Sequence, residues 1–193
     1  MIKITFITIV FINLIIIQGC SPVGILATGG ATTMVVAEGD RSFGTVVDDA
    51  TIKLNLSTKF LKSKNNIFLN INANVNEGRV LLTGIVRNQE IRMDAVKSVW
   101  EITGVKEVVN EIEVGDRATL KEYANDLWIT AQVKSLAAKT VGLRALSYNF
   151  ETIRGKVYIA GVSSRPEQLQ EIINVIESIK GVKEIVNYVN IKE

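Results

Sequence analysis

One interval governs this sequence: 77 residues. Gly78-Arg-Val-Leu-Leu-Thr-Gly84 returns as Gly155-Lys-Val-Tyr-Ile-Ala-Gly161, and Gly104-Val-Lys-Glu-Val-Val-Asn110 returns as Gly181-Val-Lys-Glu-Ile-Val-Asn187, both 77 positions later. The same shift, with no gap, places Asp49 on Asp126 and Ile52 on Ile129. Four registers coinciding at one shift mark a duplication. A chain of 193 residues built this way folds as two small equivalent units.

Each copy reads as helix, strand, strand, helix, strand. In the first, Ile52, Leu56 and Phe60 recur every four residues, as one helix face requires. Leu69, Ile71, Ala73 and Val75 alternate, Val80 and Leu82 follow, and Asn76-Glu-Gly78 is the turn between two strands. A helix over residues 88–102 buries Ile91, Ala95, Val99 and Ile102 and stops at Gly104; a strand over residues 107–114 closes the unit. The second copy repeats this with Ile129, Val133 and Leu136, then Leu146-Tyr148-Phe150, then Val157 and Ile159. A helix starting near Pro166 and a strand over residues 184–191 follow. The fold class is α+β, each copy a small three-stranded mixed sheet with two helices on one face. The glycines read as turn and cap residues, with no phosphate-binding loop among them.

Composition narrows the chemistry. There is no His and a single Cys, which excludes a Ser-His-Asp triad, a His-ligated metal, a zinc knuckle and an intramolecular disulfide. The formal charge of +2 is too small for a surface that tracks nucleic acid. Acidic pairs such as Glu111 and Glu113 fall on a strand in solvated positions, a poor case for acid–base work. We expect a binding module with no cofactor, metal or small-molecule substrate, not an enzyme.

The N-terminus reads as an address. Lys3 precedes a largely apolar run over residues 4–17, short for a membrane span but right for the core of a signal peptide. The run ends Ile17-Gln18-Gly19-Cys20, which resembles the lipobox of bacterial lipoproteins, although Gln18 is bulkier than the usual residue. That resemblance implies cleavage after residue 19, with N-acyl and S-diacylglycerol groups on Cys20. Ser21 follows in place of the Asp that signals inner-membrane retention, which implies the outer membrane, facing the periplasm. The alternative is a signal anchor with an incidental cysteine. The expected organisation is a signal peptide over 1–19, a lipidated, Gly- and Ala-rich tether over 20–44, and the two copies over 45–115 and 116–193.

The pattern Val80-x-Leu82-x-Gly84-x-Val86, then Gly104-Val105, Val108 and Asn110, resembles the BON domain. The second copy matches with Val157, Ile159, Gly161, Gly181-Val182, Ile185 and Asn187, and has Ser163 where the first has Val86. The resemblance implies binding of anionic phospholipid, mainly phosphatidylglycerol, through the first helix of the second domain. It also implies a role in envelope integrity, enrichment at division sites and a connection to outer-membrane protein assembly.

A duplicated core must be buried in both copies, so differences between them point to specialisation. Trp128 stands opposite Thr51. In its helix Ile129, Val133, Leu136 and Thr140 form the face expected to pack on the sheet. Leu120, Ala124, Leu127, Trp128, Ala131 and Ser135 share another face, with Lys121, Lys134 and Lys139 near its edges. An indole on an apolar stripe flanked by lysines suits a bilayer interface, the lysines meeting phosphate. The candidate phospholipid-binding residues are therefore Leu120, Lys121, Ala124, Leu127, Trp128, Ala131, Lys134 and Ser135. Alternatives are that Trp128 packs between the copies, or that the stripe binds an assembly factor. A further alternative is a structural periplasmic protein, induced by osmotic stress, with no specific ligand. Trp100 is the expected plug between the copies, and Tyr123 is ambiguous.

Overall fold

The computed structural model describes residues 43–63, 70–116 and 119–192. Cys20, the signal segment, most of the tether and Leu69 lie outside the described residues. Copy 1 comprises α1 (Phe43–Lys62), β1 (Ile71–Asn76), β2 (Arg79–Val86), α2 (Gln89–Trp100) and β3 (Glu107–Val114). Copy 2 comprises α3 (Leu120–Val141), a short 3-10 helix (Gly142–Ser147), β4 (Tyr148–Ile153), β5 (Lys156–Ser163), α4 (Pro166–Glu177) and β6 (Glu184–Ile191). Each sheet is mixed: the central strand pairs antiparallel with the strand before it and parallel with the one after. The two closing strands keep the bounds expected from sequence.

Local chemistry accounts for the elements. Asn88 caps α2 through an Ile91 N–H at 2.9 Å, and Pro166 occupies the first turn of α4, where its missing N–H costs nothing. Both hairpins turn on two residues with positive φ, Glu77-Gly78 and Arg154-Gly155, the geometry that matches strand twist. Glu and Arg are poor residues for that conformation, and a buried aspartate compensates. Asp49 accepts from the Glu77 and Gly78 N–H groups at 2.8 and 2.9 Å; Asp126 accepts from Arg154 and Gly155 at 2.7 and 2.9 Å. The first helix of each copy thus latches its own hairpin, which is why an aspartate recurs at this register.

Gly84 and Gly161 are not turn residues. They lie within β2 and β5, where a Cβ would stand 2.0 Å from the Asn70 carbonyl oxygen and 2.2 Å from that of Ser147. Only glycine admits so close a neighbouring backbone.

Each copy has its own core between sheet and helices. Ile52, Leu56, Phe60, Leu82, Ala95 and Val99 fill the first; Ile129, Val133, Ala137, Phe150, Ile159 and Ile172 fill the second. Ile91 and Ile102 are only partly buried at the margin of the first. In α3 the buried row continues through Ala137 and Val141, whereas Thr140 is exposed and donates its hydroxyl to the Leu136 carbonyl. An i, i+4 row runs oblique to the helix axis, and here it is that row which follows the twisted sheet. Leu146 is in the 3-10 helix and exposed, not the first inward residue of β4. The chain leaves α3 through Gly142 (φ 64°) and must turn before the ladder can begin at Tyr148.

A third apolar cluster joins the copies through the sheet faces turned away from the helices. Leu81, Tyr158 and Ala160 are buried there, with Val109, Val186 and Tyr188 packed around them. The layers therefore run helices, sheet, sheet, helices. This joint overturns two expectations. Trp100, at the end of α2, is exposed and plugs nothing, because the copies meet through their sheets. Glu111 and Glu113 are half-buried, not freely solvated: Glu111 accepts from the Tyr188 hydroxyl, and Glu113 pairs with Arg154 at 3.2 Å. Burial together with the Glu111 bond pushes the Tyr188 phenol up to about 12.

Candidate functional site

The site is built on α3. Thr119 begins it with a reciprocal capping box: its hydroxyl accepts from the Glu122 N–H at 3.2 Å, and the Glu122 carboxylate accepts from the Thr119 N–H at 2.8 Å. The Thr119 N–H, and after it the Thr119 hydroxyl, which also donates to the Glu122 carboxylate at 2.8 Å, hold that carboxyl below its ordinary range. Asp126, Ile129, Val133, Ala137 and Val141 then fix the helix to its hairpin and sheet.

All eight residues singled out from sequence are exposed. Trp128 retains 55% of its surface, Leu127 53% and Leu120 84%, so the indole does not pack between the copies. Helical spacing groups Trp128 with Lys121, Ala124, Ala131 and Ser135 on the outward face. Leu120, Leu127 and Lys134 stand on its flank, where they form one wall of a groove of about 800 Å³. Tyr123 and Thr130 belong to the same wall; Asn70, Ile71, Asn72 and Ile85 of copy 1 form the other, and Glu151 lies within it.

Sequence reasoning could not find this groove, because its two walls come from different copies. Glu151 accepts from the Asn72 amide at 2.9 Å, a bond that crosses between the copies. Burial pushes its carboxyl up, opposed by the charge of Lys134 and reinforced by that of Asp126. The surface therefore has two parts: an exposed face around one indole, and beside it a groove lined by Glu151 and Lys134. Among the described residues no helix is long and apolar enough to cross a membrane.

The comparisons agree with this architecture. The BON domain model matches residues 48–116 and 125–193. The chain is 38% identical over 147 residues to an uncharacterized protein in the gshII 5' region of Anaplasma centrale, covering 76% of this chain and 96% of that one. It is 30% identical over 173 residues to the outer membrane lipoprotein DolP of Haemophilus influenzae, covering 89% and 88%. It is 24% identical to the osmotically-inducible protein Y of Escherichia coli, covering 75% and 73%. With one domain in each copy of its repeat, this chain belongs to the BON-domain family.

Proposed function

We propose that this protein is an outer-membrane lipoprotein, held by acyl groups on Cys20 and facing the periplasm, that recognises anionic phospholipid through α3 and supports envelope integrity at division sites. The observation that carries the reading is the exposed indole of Trp128, set among small residues on a helix clamped rigidly to its domain. The indole sits at the headgroup boundary, alanines allow a shallow approach, and Lys121 and Lys134 meet phosphate. Each such lysine contributes about 1 kcal/mol near an anionic surface, enough to choose a lipid but not to anchor the chain. Anchoring falls to the acyl chains, at about 0.8 kcal/mol per buried methylene. The similarity to a lipoprotein over nearly the whole chain supports the assignment.

The test uses the chain from Ser21 onward, which has no lipid anchor and retains every described residue. Co-flotation with phosphatidylglycerol vesicles but not phosphatidylcholine vesicles, lost in Trp128→Glu, is the expected result. A folded protein that floats with neither lipid would sink intrinsic lipid recognition, and a stably co-purifying assembly factor would then favour the adaptor role.

A further inference from the structure

Asn110 and Asn187, which recur in the repeat at the same register, stand on edge strands. The sheets are ordered β1-β2-β3 and β4-β5-β6, so one side of β3 and one side of β6 pair with no strand among the described residues. Successive residues of a strand turn their N–H and C=O groups to opposite sides. The Gly115 and Lys192 N–H groups donate inward, to the Val86 and Ser163 carbonyls, at 2.8 Å each. By that alternation Val108, Asn110, Ile112 and Val114 of β3 turn their backbone groups outward, as do Ile185, Asn187, Val189 and Ile191 of β6. An open row of this kind is a template on which another strand can pair.

Both rows are interrupted at the same place. The Asn110 side-chain oxygen accepts from the Ile112 N–H at 3.1 Å, and that of Asn187 accepts from the Val189 N–H at 2.9 Å. Both asparagines are exposed, so core packing does not require them, and asparagine is a poor strand former. The bond joins no two elements of the fold. It occupies, from within the strand, a donor that an incoming strand would use. The copies differ in what else covers the row. In copy 1 the Arg92 guanidinium of α2 donates to the Ile112 carbonyl at 3.5 Å, and Ile112 itself is buried. In copy 2 Leu169 stands in place of Arg92, and Val189 is only partly buried. The one charged residue of β6, Glu184, is paired with Lys156 at 3.1 Å, and the rest are Ile, Val, Asn and Tyr, a composition prone to strand pairing. We infer that Asn110 and Asn187 close the outer sheet edges against strand addition, and that copy 2 depends on its asparagine more than copy 1 does.

The test uses the chain from Ser21 onward, with self-association as the readout. Asn187→Val removes the acceptor and favours the strand; in sedimentation velocity it should associate at a concentration at least about tenfold below wild type. Asn110→Val should fall between the two. Asn187→Ala removes the acceptor without adding bulk, and should associate in the same order even if the valine variant fails to fold. Hydrogen exchange locates the contact. The Val189 N–H is expected to be protected in wild type and exposed in dilute Asn187→Val, whose Ile185 and Ile191 N–H groups should gain protection as concentration rises. Asn187→Asp keeps an acceptor and should restore the protection of Val189. Folded variants that lose this protection and still sediment as wild type would overturn the proposal, leaving the asparagines a purely local bond. So would association that leaves exchange along β6 unchanged, or Asn110→Val associating more readily than Asn187→Val.

Discussion

The outward faces of α1 and α3 occupy equivalent positions on one duplicated scaffold, yet they distribute bulk in opposite ways. Copy 1 carries Val47, Leu54 and Leu61 where copy 2 carries Ala124, Ala131 and Ala138; copy 1 has Thr51 where copy 2 has Trp128. Three exposed aliphatic residues spread over about 21 Å make an extended apolar ridge. A single exposed indole between Ala124 and Ala131 concentrates the bulk at one point. Both helices bury the same opposite face and hold the same latch, so the divergence is confined to residues the fold does not need. Duplication left the scaffold fixed and the outer surfaces free to specialise.

The largest test of that equivalence is at the latch. Asp49→Ala and Asp126→Ala each remove a buried carboxylate that accepts two turn N–H groups, and each is expected to cost about 3 kcal/mol in urea denaturation. Equal costs would show that the copies are mechanically equivalent; unequal costs would show that one leans on the other. The next test moves the indole. Trp128→Thr combined with Thr51→Trp should bind phosphatidylglycerol vesicles about tenfold more weakly than wild type, in line with the value of burying one large side chain. Full binding by the exchanged protein would mean that the indole alone suffices, whichever helix carries it.

Smaller effects sharpen the joint between the copies. Tyr188→Phe removes one bond to Glu111 and should cost about 1 kcal/mol in the same denaturation experiment. The last test depends on pH. Burial raises the Glu151 carboxyl above its ordinary 4.5. The stability associated with its protonated form is full below 4.5 and is lost as pH rises through the raised value. Glu151→Gln is therefore expected to be more stable than wild type at pH 7 and indistinguishable from it near pH 4. An advantage that persisted at pH 4 would have another cause.

Much of the fold was legible in the sequence because it rests on local signals: tight hairpin turns, a glycine stop, a proline, and alternation along β1 and β4. The candidate helix was legible for the same reason, since a 3.6-residue period separates its buried row from its exposed one. What stayed hidden depends on non-local contact. Leu146 continues the alternation of Tyr148 and Phe150, and nothing in the pattern says where the ladder begins. Gly84 and Gly161 look like turn residues until the Asn70 and Ser147 carbonyls are seen against them. Leu81, Val109 and Val186 mark a second apolar face on each sheet, but a strand pattern does not say what covers that face. The groove beside Trp128 follows from that joint, so it was hidden as well.

The joint has one further consequence. Glu111 and Tyr188 are the same position in the two copies, and they face each other; so do Leu81 and Tyr158 in the apolar cluster. In an assembly of two identical chains, a residue on the symmetry axis must meet its own image, and glutamate at this position would meet glutamate. Covalent fusion of the two units lifts that restriction. A phenol can stand opposite a carboxylate and a tyrosine opposite a leucine, so the pairing of unlike halves is favoured over the pairing of like ones. The duplicated chain thereby encodes which domain belongs with which.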